Sequence, residues 1–194
     1  MKKKFYPLFA LLTSFPLVSC AEPPKDGKPA YVSEAPLPKG WPEPGPFNEV
    51  RKKTYPAYRA AFTNGKGENS AFWTLFKHIK RNSIPMTAPV EMKMREDDQG
   101  LEQNSMAFLY QNGSVGSPGK DGTKVEVRDV PAATVLSYAW QGPDSKANIS
   151  AAKTALEDAL EKQGLEETGF RLLGYNGPGT PRAKKTWELQ ALLE

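Results

Sequence analysis

The chain has 194 residues, 39% hydrophobic and 25% charged, which suits one globular domain with a sizeable core rather than two domains. A single cysteine and a single histidine exclude a disulfide framework, a Cys/His zinc site, a Cys–His nucleophile pair and a multi-histidine metal centre. The formal charge of +4 includes Lys2, Lys3 and Lys4. Loss of residues 1–19, which carry those three lysines and no acid, lowers it to +1 and removes the basic footprint of a nucleic-acid binder.

Lys2 to Lys4 make a positive start, and Phe5 to Val18 form an apolar stretch too short, and too interrupted by Pro7 and Pro16, to span a bilayer. This pattern predicts an export signal over residues 1–19. Leu17-Val18-Ser19-Cys20 resembles the bacterial lipobox, in which the cysteine is diacylated on sulfur (the palmitate-type modification) and becomes the new N-terminus. Such acyl chains, at roughly 0.8 kcal/mol per buried methylene, would hold the chain on a membrane without a spanning helix. Ala21 after the cysteine resembles lipoproteins passed on to the periplasmic face of the outer membrane. The alternative is a general secretory signal that ends near a cysteine.

Between Ala21 and Phe47 stand eight prolines, Pro23, Pro24, Pro29, Pro36, Pro38, Pro42, Pro44 and Pro46, which disfavour helix and central strand alike. Residues 20–47 therefore read as lipidated Cys20 and a tether, or as an arm packed on the domain through Tyr31 or Trp41.

The folded domain is expected over residues 48–194. Glu49 to Thr63 is rich in Val, Tyr, Phe and Thr and predicts one or two strands broken near Pro56. After the Asn64–Gly67 turn, Phe72, Leu75, Phe76 and Ile79 fall at offsets 0, 3, 4 and 7, which predicts a helix over Glu68 to Arg81. Met86 to Met94 alternates like a half-buried strand, with Val90, Met92 and Met94 on one face. A turn at Asp97 to Gly100, a strand at Ser105 to Gln111, a loop at Asn112 to Gly122 and strands at Lys124 to Val130 and Thr134 to Gln141 follow. Ile149, Ala152, Leu156, Ala159 and Leu160 predict a second helix over Ser145 to Gln163, stopped by Gly164. Phe170 to Tyr175 and Thr186 to Leu193 close the chain as strands around a loop at Asn176 to Pro181. Strand runs separated by single helices, in two halves of similar plan, indicate α+β rather than a doubly wound parallel sheet.

Leu75-Phe76-Lys77-His78-Ile79 followed by Ile84-Pro85-Met86-Thr87-Ala88-Pro89-Val90 resembles the SOUL family of heme-binding proteins. Glu49-Val50-Arg51 with Tyr55-Pro56, the run from Val125-Glu126-Val127 to Trp140-Gln141-Gly142, and Gly174-Tyr175-Asn176 through Pro178, Thr180 and Pro181 to Trp187-Glu188-Leu189 fit the same family in order. Together they span roughly residues 48–193. The resemblance implies a distorted antiparallel β-barrel or paired-sheet α+β domain flanked by two helices, related to ligand-binding domains of bacterial drug-sensing regulators. It also implies non-covalent binding of heme or another hydrophobic planar ligand, without catalysis.

Such a ligand needs apolar area, cations near its propionates and, optionally, an axial donor to iron. Phe72, Trp73, Phe76 and Ile79 offer the area; Lys77, Lys80 and Arg81 offer the cations. His78 is the sole imidazole, at a position where the family commonly has tyrosine. At 100° per residue from Phe72, the apolar face centres near roughly 350° and His78 lies about 110° away, on the helix flank. His78 therefore reads either as an iron ligand or as a solvated flank residue. Met86, Met92, Met94 and Met106 are soft donors or core packing.

No nucleophile elbow surrounds any serine, and the glycines at 113, 116, 119 and 122 lack the setting of a phosphate cradle. Two further readings remain open beside heme binding. One is binding or hydrolysis of another amphipathic molecule, with Glu91 and Glu188 as the carboxylates to follow. The other is a non-catalytic scaffold or partner-binding lipoprotein.

Overall fold

The computed structural model describes residues 30–63 and 68–194. The leader, Cys20 and the first part of the proline-rich stretch, up to residue 29, lie outside the described residues, as does the turn at 64–67.

Pro56, which has no N–H to give to a ladder, separates β1 (Val50–Tyr55) from β2 (Tyr58–Thr63). Helix α1 occupies Glu68–Arg81, and the strands β3 (Val90–Asp97), β4 (Gly100–Leu109), β5 (Gly119–Asp121), β6 (Val125–Val130) and β7 (Ala133–Gln141) follow. Helix α2 (Lys146–Gln163) starts where the Ser145 side chain accepts the Asn148 N–H and stops at Gly164, which is left-handed at φ 61°. β8 (Glu167–Gly174) and β9 (Thr186–Leu193) complete the fold.

The predicted strand at Met86 begins later, at Val90. Ahead of it the chain is tied sideways, the Ala88 N–H to the Pro36 carbonyl and the Thr87 hydroxyl to the Leu109 carbonyl, and Pro89 has no donor. Short β5 lies inside the stretch expected to be loop.

All strand pairings are antiparallel, in the order β1-β7-β9-β8-β3-β4-β2-β6-β5. The class is α+β with two helices. The sheet is nevertheless open rather than a barrel, because among the described residues strand β1 pairs only with β7 and three-residue β5 only with β6. Its order reads the same from both sides of the β3–β8 pair: β3-β4-β2-β6 mirrors β8-β9-β7-β1. Each half is strand, helix, strand, strand, so the similarity of plan seen in the sequence is a structural repeat.

Both faces of the sheet are covered. Along β9, Trp187, Leu189 and Ala191 point to one cluster with Phe170, Leu172, Met92, Met106 and Phe108, beneath α1 and α2. The alternate residues join Tyr55, Tyr58, Ala107, Leu109, Leu173 and Tyr175 on the second face. This double burial explains why Thr186 to Ala191 is buried without a break although its polarity alternates.

The second face is covered by the proline-rich stretch. Trp41 is 5% exposed, with its ring 4.7 Å from Tyr55 and 5.2 Å from Tyr58, edge-on to both. Backbone bonds from Lys39 N to Gln111 O and from Asn48 N to Ala139 O hold the segment down. The tether expected over 20–47 is therefore corrected from Tyr31 onward: there it is a packed arm, and the folded unit starts at Tyr31 rather than at 48. Proline removes ladder donors without preventing extended chain from packing its side chains, and Trp41 supplies the buried area.

Candidate functional site

A cavity of about 500 Å³ opens between α1, the start of β3 and the loop before β9. Phe72, Trp73 and Phe76 line it from the helix; Met86, Val90, Met92 and Met106 line it from β3, β4 and the chain leading into them; Gly174, Tyr175 and Trp187 close the far side. The aromatic wall is continuous, with ring centroids 5.6 Å apart for Phe72–Trp73, 5.5 Å for Trp73–Phe76 and 5.1 Å for Phe72–Phe108. The volume lies within the ~300–1,000 Å³ of small-molecule sites, and an apolar wall with few polar groups is their usual chemistry.

These rings are available because α1 is rolled relative to the orientation expected from its sequence. The residues that meet the sheet are Ala71, Leu75, His78 and Ile79, all buried. Their directions average roughly 285° on the scale that puts Phe72 at zero, about 65° from the centre expected from the large side chains. Ala71 is what allows this roll: the smallest apolar side chain lets the helix approach the sheet, and the bulkier Phe72 and Phe76 are left at the rim. Trp73 is 56% exposed.

Of the residues singled out in the sequence, Phe72, Trp73 and Phe76 are therefore brought to the cavity, and Ile79 is in the core. Lys77, Lys80 and Arg81 are exposed and do not line it. His78 is neither a cavity residue nor a solvated one: it is 4% exposed. Its Nδ1 pairs with Asp121 Oδ2, and its Nε2 lies 2.7 Å from the Tyr110 hydroxyl. Arg81 shares the same carboxylate. The expectation of an accessible flank imidazole is corrected, because β5, unforeseen in the sequence, brings Asp121 against that flank. The His78 bond, followed by that from Arg81, holds the Asp121 carboxyl below its usual range, while burial, with Asp121 second, pushes the Tyr110 hydroxyl up to about 12. With both ring nitrogens engaged, His78 is a strut between α1 and the β5–β6 hairpin.

Met92 and Met106 line the cavity from buried positions and Met94 is in the core, so Met86 is the half-exposed thioether there. The lining cation is Lys185, placed by the turn at Arg182–Lys184. Glu34 sits at the mouth. Its carboxylate accepts the Gly177 N–H at 2.7 Å and the Thr180 hydroxyl, latching the arm to the closing loop. The Thr180 bond, against the opposing effect of partial burial, and then the bonds from Gly177 and Asn176 and the Lys185 charge hold Glu34 below the usual carboxylate range. Lys185, Glu34 and Trp187 escaped the sequence reading, although Trp187 stood in one of the family-like stretches.

Gly174 has a particular role. A Cβ there would lie 2.7 Å from the Trp187 ring, so the glycine lets that indole lie flat against β8 and form the cavity wall.

The carboxylates considered for hydrolysis lie elsewhere, on the sheet's second face. Glu188 is fully buried and accepts bonds from Tyr55 at 2.6 Å, Gln190 at 2.8 Å and Tyr175 at 3.1 Å, with Lys53 Nζ at 3.3 Å. Glu91 accepts from Tyr58 at 2.6 Å and from Arg171 at 3.2 Å. The Arg171 guanidinium lies 5.6 Å from the Trp41 ring, 5.2 Å from Tyr55 and 5.9 Å from Tyr58. Burial and the adjacent carboxylates push the Tyr55 and Tyr58 hydroxyls far above their ordinary values. Neither carboxylate lines the cavity, and both are occupied by paired donors. Among the described residues no group of three or more metal-ligating side chains gathers.

Comparison with known proteins places these features. The family model described as SOUL heme-binding protein matches residues 46–190. No curated protein sequence matches the chain. Among solved structures the fold is similar to a hydrolase from Listeria innocua (TM-score 0.57, 16% identity, 77% of this chain and 94% of that one). It is also similar to an uncharacterized conserved protein from the same organism (TM-score 0.59, 14% identity, 77% and 94%). A third similarity is to EcmrR in a DNA complex (TM-score 0.57, 16% identity, 75% of this chain), where the chain spans 57% of EcmrR's length. At these identities the likeness is one of fold.

Proposed function

This chain belongs to the SOUL heme-binding protein family, and from that premise we propose that the α1 cavity binds heme or a closely related planar tetrapyrrole non-covalently. The observation that carries the reading is the aromatic wall of Phe72, Trp73, Phe76 and Trp187 around a cavity of about 500 Å³. The residues fit such a group in two respects. The wall offers apolar area to a flat macrocycle, and Lys185 offers a cation to a propionate. Bound iron would supply redox and ligand-binding chemistry. The chain's own part is to hold the ring and exclude water from its faces, and His78, spent on Asp121 and Tyr110, takes no part in ligation.

Binding then rests on the macrocycle rather than on the metal. A hemin titration of the purified protein, followed in the Soret region, is expected to saturate at micromolar or tighter affinity and to keep its response in His78→Ala. Phe76→Ala and Lys185→Glu are expected to weaken it, and metal-free protoporphyrin IX to bind comparably. Loss of the response in His78→Ala alone, or no saturable response, would overturn the reading.

The lipobox-like Leu17-Val18-Ser19-Cys20 supports the second half of the proposal, that the domain works in a bacterial cell envelope, acylated at Cys20 and held at the periplasmic face of the outer membrane. Metabolic palmitate labelling that survives Cys20→Ala would refute it.

A further inference from the structure

Among the described residues the large apolar side chains left exposed are Val32 at 68% and Trp73 at 56%. They flank one region of the surface. Trp73 is at the rim of the α1 cavity; Val32 lines a shallower groove that shares Glu34 and Asn176 with it. The Asn176 amide donates to the Val32 carbonyl at 3.2 Å, fixing that residue beside the cavity mouth.

The charges around these two residues are four lysines against one carboxylate, Glu34. Lys77 and Lys80 follow Trp73 at i+4 and i+7 on the outer face of α1, both exposed. Lys184 lines the groove beside Val32 and Lys185 lines the cavity. None of the four lysines lies within salt-bridge distance of an acid among the described residues; the Lys185 charge acts on Glu34, whose carboxylate is bonded to Gly177 and Thr180. An exposed indole and an exposed valine beside four lysines and a single carboxylate are complementary to a surface with an anionic skin and an apolar interior. Tryptophan is the side chain that favours the headgroup boundary of a bilayer, and lysine stems can lie along apolar surface while their heads reach phosphate. The course of the chain agrees. It enters the described domain at Ala30, two residues before Val32, and the apolar Phe5–Val18 stretch and Cys20 lie within the 29 residues before that point.

We propose that this face, centred on Trp73 with Val32 and the lysines 77, 80, 184 and 185, docks on an anionic phospholipid surface and turns the cavity mouth toward the bilayer. Trp73 enters the headgroup boundary and the lysines meet lipid phosphates. The docking does not depend on which ligand the cavity holds. If the proposed function is also correct, a hydrophobic planar ligand can pass between the membrane and the cavity without crossing water.

The test uses the full chain with vesicles of phosphatidylcholine, with and without phosphatidylglycerol, carrying bromine on the acyl chains as a fluorescence quencher. Trp41, Trp140 and Trp187 are buried, so the quenchable emission belongs to Trp73. On vesicles with phosphatidylglycerol the emission is expected to shift to shorter wavelength and be quenched, and Trp73→Phe removes both effects. Each lysine near the surface is worth about fivefold in binding, so Lys77→Glu with Lys80→Glu should weaken docking more than twenty-fivefold while hemin binding in solution continues. Vesicle-bound protein whose emission is neither shifted nor quenched would show a domain held only by its N-terminal segment and would overturn the proposal. So would quenching that persists in Trp73→Phe or ignores the lipid charge.

Discussion

Replacing Trp41 by alanine tests the packed arm. The side chain is 5% exposed, edge-on to two tyrosines at 4.7 and 5.2 Å and 5.6 Å from the Arg171 guanidinium. Truncating a buried tryptophan costs about 3–5 kcal/mol through lost transfer energy and the cavity left behind. Part of that here is the two aromatic pairs, at about 0.5–1.5 kcal/mol each. Against a total stability of about 5–15 kcal/mol the loss is large. At about 2–4 °C per kcal/mol for a domain of this size, Tm should fall by roughly 6–20 °C. Urea unfolding followed by far-ultraviolet circular dichroism is the suitable assay, because the substitution does not remove its probe. Trp41→Phe, which keeps an aromatic ring under Arg171, should retain most of the stability. A loss below about 1 kcal/mol in Trp41→Ala would mean that residues 31–47 lie loosely on the sheet, and the arm would revert to a tether.

The Glu34 latch carries a pH dependence. Its folded pKa is depressed, so below the ordinary carboxylate range the unfolded chain binds more protons, and the latch stabilises above about pH 4.3 and fades as pH falls through the folded value. Glu34→Gln is expected to flatten the acid limb of the stability–pH curve measured by urea midpoints from about pH 6 to about pH 3; an unchanged limb would refute this. Gly174→Ala sets a Cβ at 2.7 Å from the Trp187 ring. Overpacking should cost about 1–3 kcal/mol in thermal unfolding and weaken hemin binding by displacing the cavity wall, and wild-type Tm with wild-type affinity would refute the assigned role of the glycine.

Most elements were legible in the sequence to within about five residues, β5 excepted, and so was part of the site. Helix α1 was bounded by its offsets, α2 by Ser145 and Gly164, and the break between β1 and β2 by Pro56. Phe72, Trp73 and Phe76 were named from one helix and do line the cavity. The burial of His78 is not legible in the sequence, because the large side chains of α1 point to one face whereas Ala71 sets the approach to the sheet and Asp121 comes from a strand of three residues. The packing of Trp41 is not legible in the sequence, because a proline-rich segment carries no periodicity that separates packed chain from free chain.

By itself the sequence determined what is local: the order of the helices and of every strand but β5, most of the turns, and the aromatic content of α1. These follow from periodicities of 2 and 3.6 and from the few residues that suit caps and breaks. Only the tertiary structure decided the roll of α1, the open sheet, the coverage of its second face by the Trp41 arm, and the meeting of Phe76 with Trp187 and Lys185 across more than a hundred residues of chain. The physical reason is that these depend on which surfaces bury each other. A buried alanine, a glycine beneath an indole and a carboxylate between two tyrosines take their roles from neighbours that local patterning does not contain.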